Sequence, residues 1–297
     1  MPIQKNIPIQ KKPLLIGAHM SIKHGFGEAI QDGASIQCKA IQFFTKSNRQ
    51  WYAKKIMQKD ITLLNEALIK SHIDRKNVIV HASYLINLAS SNNVTAKKSY
   101  DGLLEELERC AILNLPYLVL HPGAATESTT KEGIAQITFF LEEIMQKSSE
   151  NVMVLLENMA GQGTVIGKNF QELALIINGL SMSSQKKVGI CIDTCHLFAA
   201  GIPFDTQENY ESTWQSFDKL IGRSKIKVIH LNDSKSAYGS HVDRHEHITK
   251  GKIPIKSFKM ILNDPLFTNI PKILETPHAS LSDHLMNIQQ VEYLYNN

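Results

Sequence analysis

The chain has 297 residues, of which 43% are apolar, so it is long enough to bury a large core within one domain. No apolar run approaches the roughly 18 residues that a membrane span needs, and the first residues lack the apolar segment of a secretory signal, which excludes membrane insertion and leads us to expect a cytoplasmic protein. The net charge of +4 permits a polyanionic partner without requiring one.

The first dozen residues, MPIQKNIPIQKK, are polar, basic and interrupted by proline. This composition predicts a flexible arm at residues 1–12. No linker or low-complexity tract follows, so residues 13–297 are predicted to form one domain.

The cysteines show no paired C-x-x-C spacing, and free thiols are the ordinary state inside a cell. Cys191 and Cys195 are close enough in sequence to make a disulfide conceivable, but we do not expect one. The same holds for the other two cysteines, Cys38 and Cys110.

Eight apolar runs of strand length recur along the chain, and several are rich in valine and isoleucine. They span residues 14–19, 40–46, 77–84, 117–123, 152–161, 188–196, 226–233 and 271–277. Continuous apolar runs are typical of strands that are buried on both faces of a parallel sheet. Segments of helical period lie in most of the intervals, for example at 56–68, 103–111 and 134–145. The interval after the first run is short, and only the stretch GFGEAIQDGA can form a helix there.

Eight strands that alternate with helices in one domain of this length predict an α/β protein, a single-domain (β/α)8 TIM barrel. An open doubly wound sheet is the alternative fold. Such a sheet is expected to carry a glycine-rich phosphate turn after its first strand, and the stretch GAHMSIKHGFG does not have that spacing.

The apolar runs repeatedly end at a residue of a metal-ligand type, namely His19, His81, His121, Glu157, Asp193, His230 and Glu275. In a barrel of parallel strands these ends all meet at the C-terminal rim, where barrel active sites are built. Buried charges need a partner or a metal ion, and histidine with carboxylate suits zinc, manganese or iron. One zinc takes about three or four protein ligands, so the six residues from His81 to Glu275 predict two ions that share a bridging carboxylate.

A third ion is predicted from a pair of residues on a loop. The stretch HVDRHEH contains Asp243 and His245 in a D-x-H pair, and His196 lies three residues beyond Asp193. The alternative for each such residue is a structural role, because isolated histidines are common in cores and acids often cap helices. We assign that role to His19, His24, His72, His241, His247, His278 and His284. A purely structural role for the nine proposed ligands would require that residues of metal-ligand type occur by coincidence at the ends of six different strands.

These residues lie within blocks that resemble a known family. The blocks are IGAHMS, FFTKSNRQW, HASYLINLA, LHPGA, LENMAGQG, GICIDTCHLFAAG, HLNDSK, VDRHEH and ILETP. They resemble endonuclease IV, the zinc-dependent apurinic/apyrimidinic endonucleases of DNA repair, from about Leu15 to about Glu275. The chain departs from the family in its N-terminal arm and in the stretch ITKGKIP, where the family more often has an acidic, glycine-rich loop.

The resemblance implies three zinc ions per chain, with manganese as an alternative at one site. It assigns the first ion to His81, His121 and Glu157, the second to Glu157, Asp193, His230 and Glu275, and the third to His196, Asp243 and His245. Glu157 would then be the catalytic residue, because it would bridge the two ions that hold an attacking hydroxide.

The resemblance also implies the substrate, which is duplex DNA that contains an abasic site. The enzyme would cut 5′ to that site, leave a 3′-hydroxyl and a 5′-deoxyribose phosphate, and also repair blocked 3′ ends. Arg49, Tyr84 and Leu85 match family residues that enter the DNA stack at the lesion. Four lysines could contact the DNA phosphates, or could equally form an ordinary solvent-exposed face without a role in binding. They are Lys46, Lys235, Lys250 and Lys252. We expect a monomer.

Two other classes of function remain alternatives. A metal-dependent sugar isomerase or epimerase uses a barrel of the same type, typically with one divalent ion, and would leave Asp243 and His245 without a role. A non-catalytic DNA-binding protein would hold its zinc ions in closed structural sites.

Overall fold

Eight parallel strands pair into a closed ring in the computed structural model of the chain, which describes residues 12–148 and 151–297. These strands are β1 (Ile16–His19), β2 (Ala40–Phe44), β3 (Val78–His81), β4 (Tyr117–Leu120), β5 (Met153–Glu157), β6 (Val188–Asp193), β7 (Ile226–His230) and β10 (Lys272–Leu274). The ring closes where β1 pairs with β10, and Ile16 lies opposite Lys272. Two short strands outside the ring, β8 (Asp233–Ser234) and β9 (His245–Glu246), pair antiparallel. The predicted (β/α)8 barrel is confirmed.

Helices follow the strands and cover the outside of the ring. They are α1 (Phe26–Ser35), α2 (Gln58–Ser71), α3 (Asn93–Leu113), α4 (Thr130–Lys147), α5 (Phe170–Asn178), α6 (Met182–Gln185), α7 (Thr194–Ala199), α8 (Gln207–Leu220), α9 (Ile255–Asn263) and α10 (Leu281–Asn296). Short 3-10 helices lie at Arg75–Asn77, Arg223–Lys225 and Pro265–Phe267. The helical segments predicted at 25–34, 56–68, 103–111 and 134–145 correspond to α1, α2, α3 and α4.

Local sequence explains where several helices begin and end. Asn92 caps α3, because its side chain accepts hydrogen bonds from two backbone amides of the first turn. Thr129 and Glu132 form a capping box at the start of α4. Asp193 caps α7, and this cap is why β6 ends there although the apolar run continues to residue 196.

The core has two parts that explain why the apolar runs are continuous. One part fills the inside of the ring with one residue from each of seven strands, Ala40, Ile79, Val119, Leu155, Cys191, Val228 and Ile273. The other part lies between the strands and the helices, and Val154 and Leu156 belong to it. Successive strand residues therefore point alternately into the ring and towards the helices, and both faces are buried.

The remaining sequence predictions concern the thiols, the membrane and the arm. All four cysteines are buried and free, as predicted. Within the described residues, the structure contains no helix that is long and apolar enough to cross a membrane. The predicted arm at residues 1–12 lies outside the described residues, except for Lys12, whose carbonyl oxygen accepts a hydrogen bond of 3.0 Å from Tyr295 Oη.

Candidate metal centre

The candidate site lies two residues beyond the inner core layer, at the C-terminal rim of the ring. Because strand residues alternate, each residue two positions after an inward-facing core residue faces inward as well. Ile79 is followed in this way by His81, Leu155 by Glu157, and Val228 by His230. The same spacing gives His121, Asp193 and Glu275 from Val119, Cys191 and Ile273. The fold therefore turns six separated strand ends into one ring of side chains.

Glu157 lies at the centre of this ring and is fully buried. Its Oε2 atom lies 3.1 Å from His121 Nε2 and 3.3 Å from His81 Nε2. Its Oε1 atom lies 2.8 Å from His230 Nδ1. The two oxygens of one carboxylate thus face two different groups of histidines, which is the geometry that a bridging ligand requires.

A second group of donors surrounds His230 Nδ1. This atom lies 3.2 Å from Glu275 Oε2 and 3.9 Å from Asp193 Oδ2. Together with Glu157, these residues offer four ligand atoms that all lie within 4.8 Å of one another. One nitrogen and three carboxylate oxygens suit a divalent cation.

A third group forms where the β8–β9 pair meets α7. Asp243 Oδ2 lies 3.2 Å from His196 Nε2, and Asp243 Oδ1 lies 3.3 Å from His245 Nε2. Both histidine nitrogens are buried and have no partner in hydrogen-bonding geometry. Buried polar atoms are rarely left in this state, so their convergence fits a site that a cation completes.

The opposite nitrogen of several histidines is held by a hydrogen bond. The Nδ1 atoms of His81, His196 and His245 lie 2.8 Å, 2.8 Å and 3.0 Å from the carbonyl oxygens of Ala82, Asn158 and Glu275. A carbonyl can only accept, so each Nδ1 carries a proton, and Nε2, which faces the carboxylates, is the nitrogen whose proton a cation could replace. This arrangement is typical of histidines that bind metal ions.

The charges of the site favour cations strongly. Burial raises the pKa of Glu157, but the positive charges of His230 and His121 outweigh it and hold that pKa well below its usual value. Burial lowers the pKa of His245, but the neighbouring carboxylate of Asp243 and the charge of Asp193 raise it to about 9. The carboxylates thus draw positive charge onto neighbouring histidines, and the residues present fit bound metal ions, which would supply that charge instead.

A cleft of about 530 Å³ opens over these groups. Its walls include His121, Asp243 and Tyr84, which are 25%, 33% and 54% exposed, respectively. Solvent and a ligand can therefore reach the first group (His81, His121 and Glu157) through His121 and the third group through Asp243. The Tyr84 ring lies 5.4 Å from the His81 ring and 5.5 Å from the His121 ring. Leu85 beside it is half-buried, and Arg49 is exposed on the neighbouring loop.

The structure brings together all nine residues that the sequence predicted as ligands, while their role as ligands stays a proposal. His19 is one of the histidines that the sequence assigned to structural roles. Its Nδ1 atom accepts a hydrogen bond of 3.0 Å from Gln42 and lies 3.6 Å from Glu275 Oε1, so it borders the second donor group. The prediction for Lys46 is wrong, because its side chain is only 2% exposed and its ammonium group is bound within the protein. Lys235, Lys250 and Lys252 are exposed.

Sequence reasoning missed three amide side chains that hold the candidate ligands. Gln42 donates to Glu275 Oε1 at 2.7 Å, and its Oε1 atom accepts a hydrogen bond of 2.8 Å from His230 Nε2. Asn232 donates to Asp193 Oδ2 at 2.7 Å, and Asn158 bonds to the Asp193 backbone. One signal was available: Gln42 follows the inner core residue Ala40 by two positions, the same spacing as the candidate ligands.

The fold and the site define the chain as a (β/α)8 barrel whose rim carries groups of histidine and carboxylate side chains that could hold metal ions. A family model described as "Xylose isomerase-like TIM barrel" matches residues 30–296. The chain is 40% identical over 274 residues to a protein named "Probable endonuclease 4" from Chloroflexus aurantiacus. This alignment covers 92% of this chain and 95% of the relative. It is also 40% identical over 263 residues to a protein of the same name from Trichlorobacter lovleyi, with 88% and 92% covered. The chain belongs to the endonuclease IV family.

One solved structure agrees with this assignment, and a second shares the fold. The crystal structure of endonuclease IV from Thermus thermophilus matches with a TM-score of 0.81 at 28% identity and covers 96% of this chain and 99% of that chain. A D-tagatose 3-epimerase-like protein matches with a TM-score of 0.70 at 18% identity and covers 95% of this chain and 98% of that chain. The second similarity shows the shared fold alone.

Proposed function

We propose that this chain is an apurinic/apyrimidinic endonuclease of DNA repair. It cuts the phosphodiester bond 5′ to an abasic site in duplex DNA and leaves a 3′-hydroxyl and a 5′-deoxyribose phosphate. The observation that carries the proposal is the position of Glu157, whose two oxygens face a pair of histidines on one side and His230 on the other. The family membership and the names of the relatives support a nuclease.

Nine residues of the chain would hold three cations, and zinc suits the donors because they are imidazole and carboxylate groups. His81, His121 and Glu157 would hold the first, Glu157, Asp193, His230 and Glu275 the second, and His196, Asp243 and His245 the third. When bound, these cations would supply the positive charge that lowers the pKa of water and compensates phosphate oxygens.

The protein residues prepare the site for a polyanion. Four carboxylates alone would repel a phosphodiester, so the site accepts DNA only when their charge is compensated. Hydrogen bonds from Gln42 and Asn232 orient Glu275 and Asp193 without adding charge. Glu157, fully buried between the two histidine groups, keeps them at a fixed separation and is the residue that we assign to catalysis.

Recognition of the lesion is assigned to the rim. An abasic nucleotide presents no base edge, so the protein must sense the ease with which the duplex bends and opens. Tyr84 and Leu85 stand beside the cleft and can enter the opened stack, while Arg49 offers a charge and a flat surface for stacking. Blocked 3′ ends carry the same kind of phosphodiester, so we assign their removal to the same site.

The two alternatives are less well supported. A sugar isomerase or epimerase with one ion would leave Asp243 and His245 idle, whereas they lie against His196 as a complete donor group. A protein with purely structural zinc would have closed sites, whereas His121 and Asp243 reach an open cleft.

The test uses the full-length protein and a duplex with one abasic site. We expect cleavage 5′ to the site, loss of cleavage after chelation, recovery with zinc, and about three metal ions per chain by elemental analysis. The matched control is the same duplex with an intact nucleotide at that position. One ion per chain together with an uncut abasic duplex would overturn the proposal in favour of an isomerase.

A further inference from the structure

Two loops at the rim carry the residues that we assign to DNA recognition. The β2–α2 loop (residues 45–57) carries Arg49, and the β3–α3 loop (residues 82–92) carries Tyr84 and Leu85. Both loops contact α3, a helix that contributes no residue to the three donor groups.

The side chain of Arg109 on α3 joins the two ends of the β2–α2 loop. Its Nη2 atom donates to the carbonyl oxygen of Thr45 at 2.6 Å, and its Nη1 atom donates to that of Lys54 at 2.8 Å. Its Nε atom donates to Thr45 Oγ1 at 2.9 Å. Arg109 is 7% exposed, so these bonds are shielded from water. Arg49 lies between the two points of attachment.

A second set of bonds fixes the middle of the same loop. Lys46 Nζ donates to the carbonyl oxygen of Trp51 at 2.9 Å and to Glu105 Oε2 on α3 at 2.8 Å. The neighbouring Glu106 accepts a hydrogen bond of 2.6 Å from Thr45 Oγ1. Charged groups at such buried positions are costly unless they are paired, and here the pairing is made with the loop.

The same helix holds the β3–α3 loop. The backbone amide of Asn87 donates to Ser99 Oγ at 2.9 Å. At Gly102, a Cβ atom would lie 3.6 Å from Ile86 of one loop and 3.6 Å from the Trp51 ring of the other. One position of α3 therefore packs against both loops.

A hydrogen bond also joins the loops to each other. Ser83 Oγ donates to the carbonyl oxygen of Asn48 at 2.9 Å. Ser83 precedes Tyr84, and Asn48 precedes Arg49, so the bond lies directly behind the residues assigned to the DNA stack.

We propose that α3 is a support that fixes both loops in the shape that abasic DNA needs, and that Arg109 is its principal positioning residue. This inference rests on the proposed function, because the roles of Arg49 and Tyr84 come from it. A loop that must become ordered during binding reduces affinity, whereas a loop that is already fixed does not. The support therefore acts on DNA binding and leaves the metal centre unchanged.

The test compares Arg109→Lys with the wild-type protein in the zinc-loaded, full-length form. Lysine keeps the charge but cannot bond both ends of the loop, because it lacks the planar fork of arginine. We expect faster hydrogen exchange in peptides from residues 45–57, a KM for abasic duplex raised about tenfold, and a kcat within about twofold of wild type. The metal content is expected to stay unchanged.

The matched control is Arg75→Lys. Arg75 also bonds a backbone carbonyl, that of Leu113 at 2.7 Å, and it also bonds Asn65 on α2, but it lies in the 3-10 helix before β3 and these two partners lie outside both loops. If this control raised KM as much as Arg109→Lys, the effect would be general destabilisation and the inference would be overturned. Unchanged exchange at residues 45–57 in Arg109→Lys would overturn it as well.

A second variant covers the case in which Arg109→Lys does not fold. Ser83→Ala removes the bond between the loops and the bond of 3.3 Å that Ser83 Oγ accepts from the backbone amide of Leu85. We expect KM to rise about threefold, with kcat and metal content unchanged. An unchanged KM in this variant would count against the inference. If the wild-type protein does not cut abasic DNA, the proposed function fails, and the exchange measurement without DNA still decides whether Arg109 holds the loop.

Discussion

Gln42 Oε1 accepts a hydrogen bond of 2.8 Å from Nε2 of His230. An amide oxygen accepts and cannot donate, so His230 Nε2 carries a proton. Its Nδ1 atom faces the carboxylates, 2.8 Å from Glu157 Oε1 and 3.2 Å from Glu275 Oε2, and is the nitrogen whose proton a cation could replace. A neutral side chain that is no ligand candidate thus decides which nitrogen of His230 faces the carboxylates.

Gln42→Met is expected to weaken metal binding at the second group by about tenfold to a hundredfold, because His230 and Glu275 both lose their orienting bond. Competition with a chelator measures the affinity, and elemental analysis measures the stoichiometry. Gln185→Met is the matched control, since the side chain of Gln185 bonds the carbonyl oxygen of Leu180, far from the rim. Equal metal affinity in both variants would contradict the role of Gln42.

Glu157→Gln is expected to reduce cleavage of abasic DNA by about a thousandfold or more while the fold stays intact. The amide keeps the shape of the side chain but loses the charge that both histidine groups face. Steady-state cleavage rates measure the loss, and circular dichroism checks the fold. Activity close to that of the wild type would refute a bridging role for this residue.

Arg49→Ala is expected to weaken binding to abasic duplex about tenfold and to leave the metal content unchanged, because the side chain is exposed on the rim. Fluorescence anisotropy with a labelled duplex measures the affinity. Lys59→Ala removes the same charge from the exposed face of α2 and serves as the control. A parallel loss of DNA binding and metal would mean that Arg49 is structural.

Lys272 gives a prediction for the pH dependence of stability. It is fully buried at the start of β10, and burial lowers its pKa to about 8 from the usual 10.5. Between these two values the unfolded chain binds more protons than the folded one, so stability rises with pH. Relative to Lys272→Met, the wild-type free energy of unfolding should increase by about 2 kcal/mol from pH 7 to pH 10.

Chemical denaturation of both proteins at the two pH values measures this difference. The Nζ atom also donates to the carbonyl oxygens of Phe267 and Ile270. Any change of these bonds on deprotonation is contained in the folded-state pKa, so the change in the difference between the two proteins from pH 7 to pH 10 reports that pKa. A difference that does not depend on pH would mean that Lys272 has an ordinary pKa in the folded protein.

The barrel and the donor groups could be predicted because they follow from local patterns. Eight apolar runs give the strands, and a parallel ring brings their ends together, so a histidine or carboxylate at each end is informative without any knowledge of the loops. His81 and Glu275 were found in this way. The strand ends were less accurate, because the cap formed by Asp193 turns the chain into α7 within an apolar stretch.

The residues that were missed depend on contacts between distant parts of the chain. Lys46 stands near Arg49 in sequence and resembles a phosphate contact, but its partner Glu105 lies 59 positions away on α3. Gln42 has no charge and so gives no signal of metal chemistry, although its spacing from Ala40 was visible. Such pairings depend on how helices pack against loops, and periodicity does not report that packing.

The closure of the ring has a consequence for the newly made chain. Gln42 and Glu275 form a hydrogen bond across 233 positions, and Glu275 follows the last strand of the barrel. Until that strand has left the ribosome, the second donor group lacks the carboxylate of Glu275, and β1 lacks the strand β10 that closes the barrel. A nascent polypeptide that stops short of residue 275 therefore lacks a complete second donor group, and the proposed metal centre can form only after that residue has been made.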